Sequence, residues 1–144
     1  MSKTYIVCHI VFSTKFRSNV LCEPYKHEMY KYIYGIIMNK GCKLIRMNGT
    51  ENHIHILLEL HPSIALADLV KDIKSWSTKW VRDNKNIPYF DGWGKEYFAE
   101  SVSPDGIERC RQYIINQEVH HAHKSIEDEL KEMCERIGME FYDV

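Results

Sequence analysis

Hydrophobic positions along the chain recur with two different periods. Residues 4–13 alternate, with Ile6, Cys8, Ile10 and Phe12 on one face and Tyr5, Val7, His9 and Val11 on the other. Both faces are largely apolar, which predicts a strand inside a sheet. Residues 14–21 form a polar, basic connection. Pro24 then opens a helix that Gly41 closes, proline first and glycine last. Tyr25, Met29, Tyr32, Ile33, Ile36 and Ile37 make its apolar stripe. Gly35 inside that stripe either weakens the helix or permits close packing. Residues 42–49 predict a second strand, and a short turn over 49–51 leads into a third, so these two pair as an antiparallel hairpin.

Ser63 is the expected N-cap of a long helix that runs to residue 84. Leu66, Leu69, Val70, Ile73, Trp76 and Trp80 form its core stripe; Lys71, Lys74, Lys79 and Arg82 form its polar side. Residues 84–94, with Pro88, Gly92 and Gly94, read as a loop. Residues 95–103 predict a weaker fourth strand. A helix over 105–121 and a last one over 125–137, striped by Ile126, Leu130, Met133 and Ile137, follow. The order β-α-β-β-α-β with appended helices predicts an α+β, ferredoxin-like (split βαβ) antiparallel sheet in a single domain over 1–144. The first and third strands are central in that topology.

The third strand, NHIHILLEL over 52–60, carries the first chemistry. Alternation puts His53, His55, Leu57 and Glu59 on one face and Ile54, Ile56, Leu58 and Leu60 on the other. The aliphatic face must be buried. The other displays two imidazoles at a spacing that can chelate one metal ion. Two separately satisfied histidines are the plain alternative.

The helix over 105–121 carries the second. Tyr113 and Gln117 lie about 40° apart on a helical wheel, one turn above the other. Arg109, Asn116 and His120 fall on the same side, while Ile107, Cys110 and Ile114 turn toward the core. A tyrosine in that polar strip is not in a core position. Its hydroxyl is a weak nucleophile unless the phenolate or the transition state is stabilised. A divalent cation on His53 and His55, with Gln117 as a third, oxygen ligand, could bind a phosphodiester oxygen. Tyr113 would attack phosphorus and the 3′-oxygen would leave, giving a 5′-phosphotyrosine. This neutral donor set suits Mg²⁺ or Mn²⁺ with moderate affinity.

Composition narrows the setting. Five scattered cysteines without a CxxC pair suit a reducing cytoplasm and argue against a thiolate zinc site. No apolar stretch is long enough to cross a membrane, and the N-terminus lacks the features of a secretory signal. The formal net charge of −1 does not mark a general nucleic-acid binder. Basic islands at Lys15 and Arg17, at 71–82, and at Arg109 with Arg111 leave room for a local positive groove.

These motifs together resemble the HUH single-tyrosine transposases of small insertion sequences. The His-hydrophobic-His strand is followed by a Tyr-x-x-x-Gln helix, and the likeness extends to HIVFSTKFR (9–17), IKSWS (73–77), WGKEYFAESVS (93–103), YIINQEVHH (113–121) and the tail GMEFYDV (138–144). The resemblance implies cleavage and rejoining of single-stranded DNA at hairpin-marked element ends, without a nucleotide cofactor. It also implies a homodimer whose sites are often shared between subunits. Carried over, His53, His55 and Gln117 are metal ligands and Tyr113 is the nucleophile. Lys15, Arg17, Lys74, Arg109 and Asn116 are candidate DNA contacts. A domesticated nickase acting on repeat hairpins would share this chemistry.

Other readings compete at particular residues. His120, His121 and His123, at a helix end, are expected to be solvated and to suit the C-terminal dipole rather than bind metal. His9 is expected to be a satisfied core histidine, on the face of the histidine pair only if the strand register allows. Trp76 and Trp80 are expected in the core. A nucleotide hydrolase with a histidine nucleophile would need a further histidine where Leu57 stands. A non-catalytic sheet-based binder would place aromatics where this chain has histidines.

Overall fold

The fold is given by a computed structural model, which describes residues 1–141. Four strands, β1 (Val7–Ser13), β2 (Lys43–Gly49), β3 (His53–Glu59) and β4 (Phe98–Ser101), form one sheet. Their order is β2-β3-β1-β4, with every pairing antiparallel. This is the ferredoxin-like arrangement expected from the sequence, with β1 and β3 in the centre.

Helices α1 (Tyr25–Asn39) and α2 (Leu66–Asn84) cover one face. There Ile10, Phe12, Ile54, Ile56 and Leu58 meet Met29, Ile33 and Ile37 of α1 and Leu69 and Ile73 of α2. Helices α3 (Ile107–Ile115), α4 (Gln117–His121) and α5 (Ile126–Arg136) serve the other face. Val7 and Leu57 pack on Ile114 of α3, and Val11 and Phe98 pack on Ile126 and Met133 of α5. Register places Val11 opposite His55, Ser13 opposite His53 and His9 opposite Leu57. His9 therefore shares the face of the histidine pair, which makes the register condition true.

The β2–β3 hairpin depends on Gly49. A Cβ there would lie 2.1 Å from the His53 carbonyl oxygen, so the two strands close only around a residue without one. Gly35 has the opposite character: nothing lies within 4 Å of where its Cβ would be. Of its two expected roles, only the weakening of α1 remains.

Several element boundaries differ from expectation for identifiable reasons. The first strand begins at Val7, leaving Tyr5 and Ile6 exposed. β4 is shorter than 95–103. Ser63 does not cap α2: its backbone N–H donates to His61 Nδ1 at 3.1 Å, and the helix starts two residues after Ile64, with Ala65 at the uncapped N-cap. Trp76 is not core; it is 37% exposed, with Lys40 Nζ 4.8 Å above its ring. Trp80 is half-buried and stacks on Tyr32. The single helix expected over 105–121 is two helices. Asn116 breaks it at φ −92°, ψ 17°, and Asn48 Nδ2 of β2 donates to the carbonyls of Ile114 (3.0 Å) and Ile115 (3.1 Å). A side chain from the sheet thus satisfies acceptors at the end of α3. Of the tail motif, residues 142–144 lie outside the described residues.

Candidate active site

His53 and His55 project from β3 into the space under α3–α5, and neither is exposed. His53 Nδ1 faces Asn52 Oδ1 at 2.9 Å and Thr50 Oγ1 at 3.0 Å. Thr50 itself donates to Asn52 Oδ1 at 3.1 Å. The Nδ1 position therefore carries the His53 proton, and Nε2 carries the lone pair. His55 Nδ1 lies 2.8 Å from His9 Nε2, with the two rings stacked. The sequence left His9 as a plain core histidine; the structure makes it the partner of a site imidazole.

The tyrosine segment folds onto the histidine strand of the same chain. Gln117 is fully buried, and its Oε1 lies 3.1 Å from His53 Nε2. Its Nε2 donates to Glu129 Oε2 at 3.1 Å, which orients the amide with its oxygen toward His53. The Tyr113 ring centre is 5.9 Å from that of His55. The break at Asn116 changes the relation of Tyr113 to Gln117 from a simple one-turn stack, yet both reach the same pocket.

Glu129 of α5 is the residue that the sequence reading missed. It is 1% exposed. Its Oε1 lies 3.0 Å from His55 Nε2 and 3.1 Å from His121 Nε2, and 3.8 Å from His53 Nε2. Its Oε2 accepts hydrogen bonds from the Tyr113 hydroxyl and Gln117, and lies 3.2 Å from His120 Nε2. A signal was present: Glu129 stands three after Ile126 and four before Met133, inside the buried stripe of α5. A carboxylate at such a position needs a partner. The expectation that His121 is merely solvated at a helix end is also corrected. It belongs to a group of four potential metal-binding side chains, His53, His55, His121 and Glu129.

The electrostatics favour a cation. Burial, then the neighbouring His55, lowers the His53 pKa to about 3. Burial likewise lowers that of His55 to about 4, against the pull of Glu129. Both imidazoles are therefore neutral near pH 7. Burial opposes ionisation of Glu129, but hydrogen bonds from His121, His55 and Tyr113 outweigh it and hold the carboxyl well below its usual range. Burial and the carboxylate beside it push the Tyr113 phenol above its ordinary value. The anion thus sits beside the neutral imidazoles of His53 and His55, and neutral imidazole with carboxylate and amide oxygen is a fitting donor set for a divalent ion.

The proposed DNA-contact residues fare differently. Lys74 does not join the site. It lies on α2, across the sheet, and its Nζ donates to the carbonyls of Gly94 (2.9 Å), Lys95 (3.3 Å) and Glu96 (3.0 Å), pinning the approach to β4. Lys15 pairs with Asp91 at 3.5 Å. Arg17 pairs with Glu127 of α5 at 2.8 Å, beside a polar groove of about 350 Å³ lined by Thr50, Asn52, His121 and Glu127. Arg109 is exposed on α3, and Asn116 is exposed at the helix break.

A ferredoxin-like sheet displaying a His-x-His pair beneath a tyrosine-bearing helix defines the class of single-tyrosine DNA transposases. Residues 2–117 match the profile of the family described as "Transposase IS200 like". The chain belongs to that family. It is 24% identical over 114 residues to the ISDra2 transposase TnpA of Deinococcus radiodurans, covering 76% of this chain and 81% of that one. A crystal structure of a transposase candidate from Deinococcus radiodurans superposes with a TM-score of 0.64 at 23% identity, over 81% of this chain and 93% of the other. A REP-associated tyrosine transposase bound to a REP hairpin superposes with a TM-score of 0.61 at 16% identity, over 84% of this chain and 73% of the other. These likenesses place the fold with the transposases.

Proposed function

We propose that this transposase cuts and rejoins single-stranded DNA at hairpin-marked ends through a 5′-phosphotyrosine at Tyr113, with a divalent ion on His53, His55 and Gln117. The observation that carries this reading is the 3.1 Å approach of Gln117 Oε1 to His53 Nε2. It brings the tyrosine segment and the histidine strand into one pocket. A lone pair on each atom would face the other there, and a cation removes that conflict.

The ion would supply Lewis-acid charge and a template for the scissile phosphate. The remaining work falls to side chains. The Tyr113 oxygen forms a bond to phosphorus as the bond from phosphorus to the 3′-oxygen breaks. The phenolic proton passes to Glu129 Oε2, the carboxylate oxygen to which the hydroxyl already donates. The departing 3′-oxygen takes a proton from solvent and stays available as the hydroxyl that reverses the reaction. No water enters the bond-forming step.

His53, His55 and Gln117 are each 0% exposed, so DNA reaches them only when the α4–α5 side opens. The groove beside Arg17 and Glu127 is the natural entry. Within one chain the histidine strand and the tyrosine segment meet, and the reading extends to a homodimer with two such sites. Five free cysteines accord with a cytoplasmic setting. No helix among the described residues is long and apolar enough to cross a membrane.

The test is incubation with Mg²⁺ or Mn²⁺ and labelled single-stranded hairpin DNA taken from the flanks of the gene. The protein should become covalently attached to the downstream strand. Tyr113→Phe should lose the adduct and keep hairpin binding. An adduct formed by Tyr113→Phe removes Tyr113 as nucleophile. Unchanged cleavage after replacing His53 and His55 together by alanine removes the metal assignment.

A further inference from the structure

We propose that His121 and Glu129 join His53 and His55 as ligands of one divalent transition-metal ion, so that the DNA-free protein holds a closed, four-ligand metal site. This rests on the metal reading above and extends it to two residues of the C-terminal helices.

The geometry comes first. Three imidazole Nε2 atoms converge on one carboxylate oxygen. Glu129 Oε1 lies 3.0 Å from that of His55, 3.1 Å from that of His121 and 3.8 Å from that of His53. One ligand atom from each of the four residues lies within 4.8 Å of all the others. A tetrahedral ion with bonds of about 2.1 Å has ligand atoms about 3.4 Å apart. The three separations from the carboxylate bracket that edge length.

Proton placement is the second, independent observation. His121 Nδ1 faces the Lys124 carbonyl oxygen at 2.5 Å and must donate to it. His121 Nε2, the ring nitrogen left facing Glu129 Oε1 at 3.1 Å, therefore needs a second proton or a metal ion between the two atoms. The same holds for His53 Nε2 toward Gln117 Oε1, because the His53 Nδ1 proton is committed to Asn52 and Thr50. Each of these buried contacts needs a positive centre between its atoms, a proton or a metal ion. A single ion among these donors resolves both.

The donor set has consequences for selectivity. Mg²⁺ prefers oxygen ligands and keeps much of its water shell. Three imidazoles with one carboxylate suit Mn²⁺, Co²⁺ or Zn²⁺ better. A site with four protein ligands is also coordinatively closed, whereas a catalytic one keeps a position open. His121 and Glu129 hold the places that a scissile phosphate would need. Loading DNA then means moving His121 and Glu129 Oε1 off the ion, with Glu129 Oε2 still on the Tyr113 hydroxyl, while His53, His55 and Gln117 stay as the open set.

The probe is Co²⁺, whose visible absorption reports coordination by nitrogen and oxygen donors. Full-length, DNA-free protein should bind one Co²⁺ with a visible band, and tenfold excess Mg²⁺ should not displace it. Glu129→Gln and His121→Ala should each weaken binding at least tenfold and alter the band, with unchanged circular dichroism. Tyr113→Phe should bind Co²⁺ as the parent does. His121 is only partly buried, so His121→Ala keeps the test alive if Glu129→Gln fails to fold. The proposal is overturned if the parent binds no Co²⁺, or if both variants bind it with parental affinity. The two readings fail separately. Cobalt binding that needs Glu129, together with an adduct that survives Tyr113→Phe, keeps the site and discards the nucleophile. A Tyr113-dependent adduct with Glu129-independent metal binding does the reverse.

Discussion

His9 Nε2 lies 2.8 Å from His55 Nδ1, in the middle of the sheet where neither ring meets water. For His55 to offer Nε2 to a metal ion, its proton must stand on Nδ1 and be donated to His9. The His9 proton is then on its own Nδ1, which lies 3.7 Å from Glu100 Oε1 and has no closer hydrogen-bond partner among the described residues. Glu100 is held in turn by Arg136 of α5 at 2.8 Å. A ligand imidazole commonly keeps its orientation through such a partner. Replacing His9 by phenylalanine should lower Mn²⁺ or Co²⁺ affinity about tenfold or more, the scale of outer partners at metal sites. His9→Gln, which retains a hydrogen-bonding group, should recover part of the loss. Equal metal affinity in parent and His9→Phe, measured by calorimetric titration, would rule out this supporting role.

Metal-free protein should lose stability as the pH falls from neutral. His53 and His55 have folded pKa values of about 3 and 4, below their ordinary 6.5. Between those limits the unfolded chain binds more protons, so stability rises with pH and is lost on acidification. Glu129, with its pKa held down, acts in the same direction at lower pH. Each histidine contributes a slope approaching about 1.4 kcal/mol per pH unit within its window. Urea midpoints measured in a chelator from pH 7 to pH 5 should fall accordingly. His55→Phe should flatten the curve; an unchanged slope in that variant would show that the buried imidazole is not its source.

The sheet and half of the site were legible because they rest on short-range periodicity. The alternation of β3 separates His53 and His55 from Ile54, Ile56 and Leu58 in any sheet that buries one face. The Tyr113–Gln117 pairing also lies within one segment. The rest depends on tertiary placement. Glu129 shares the stripe of Ile126 and Met133, but it also suits the α5 dipole as a first-turn acid beside Glu127 and Asp128, and only packing brings His55, His121 and Tyr113 to it. The Asn116 break was hidden because the side chain that satisfies the released carbonyls, Asn48, comes from a distant strand. Lys74 stands on a helix's polar side, and nothing local to it shows the three carbonyls waiting across the loop.

Two glycines should respond oppositely to alanine. Gly35→Ala should stabilise by about 0.5–1 kcal/mol, because α1 gains helix propensity and the new Cβ meets nothing. Gly49→Ala should destabilise by several-fold more, since its Cβ would sit 2.1 Å from the His53 carbonyl oxygen. It should also weaken metal binding, because relief of that clash displaces the start of β3. Thermal denaturation of the two variants decides the sign of each. A neutral Gly49→Ala would mean that the hairpin can open without cost.

Asn48 offers the most direct check that the break before Gln117 shapes the site. Its amide donates to the carbonyls of Ile114 and Ile115, at the point where α3 ends and the chain turns toward Gln117. Asn48→Ala leaves both carbonyls without that donor, at about 1–3 kcal/mol for each acceptor that water does not reach. Asn48→Asp is nearly the same shape but sets a carboxylate oxygen against two carbonyl oxygens, so it should be the more damaging of the two. If the contact only adds stability, both variants should nick hairpin DNA normally below their melting temperatures. If it positions Gln117, adduct formation per folded molecule should fall at least tenfold, while hairpin binding through the exposed surface persists. Single-turnover adduct rates measured well below each variant's melting temperature separate these outcomes. Parental rates in Asn48→Asp would show that Gln117 reaches His53 without help from β2.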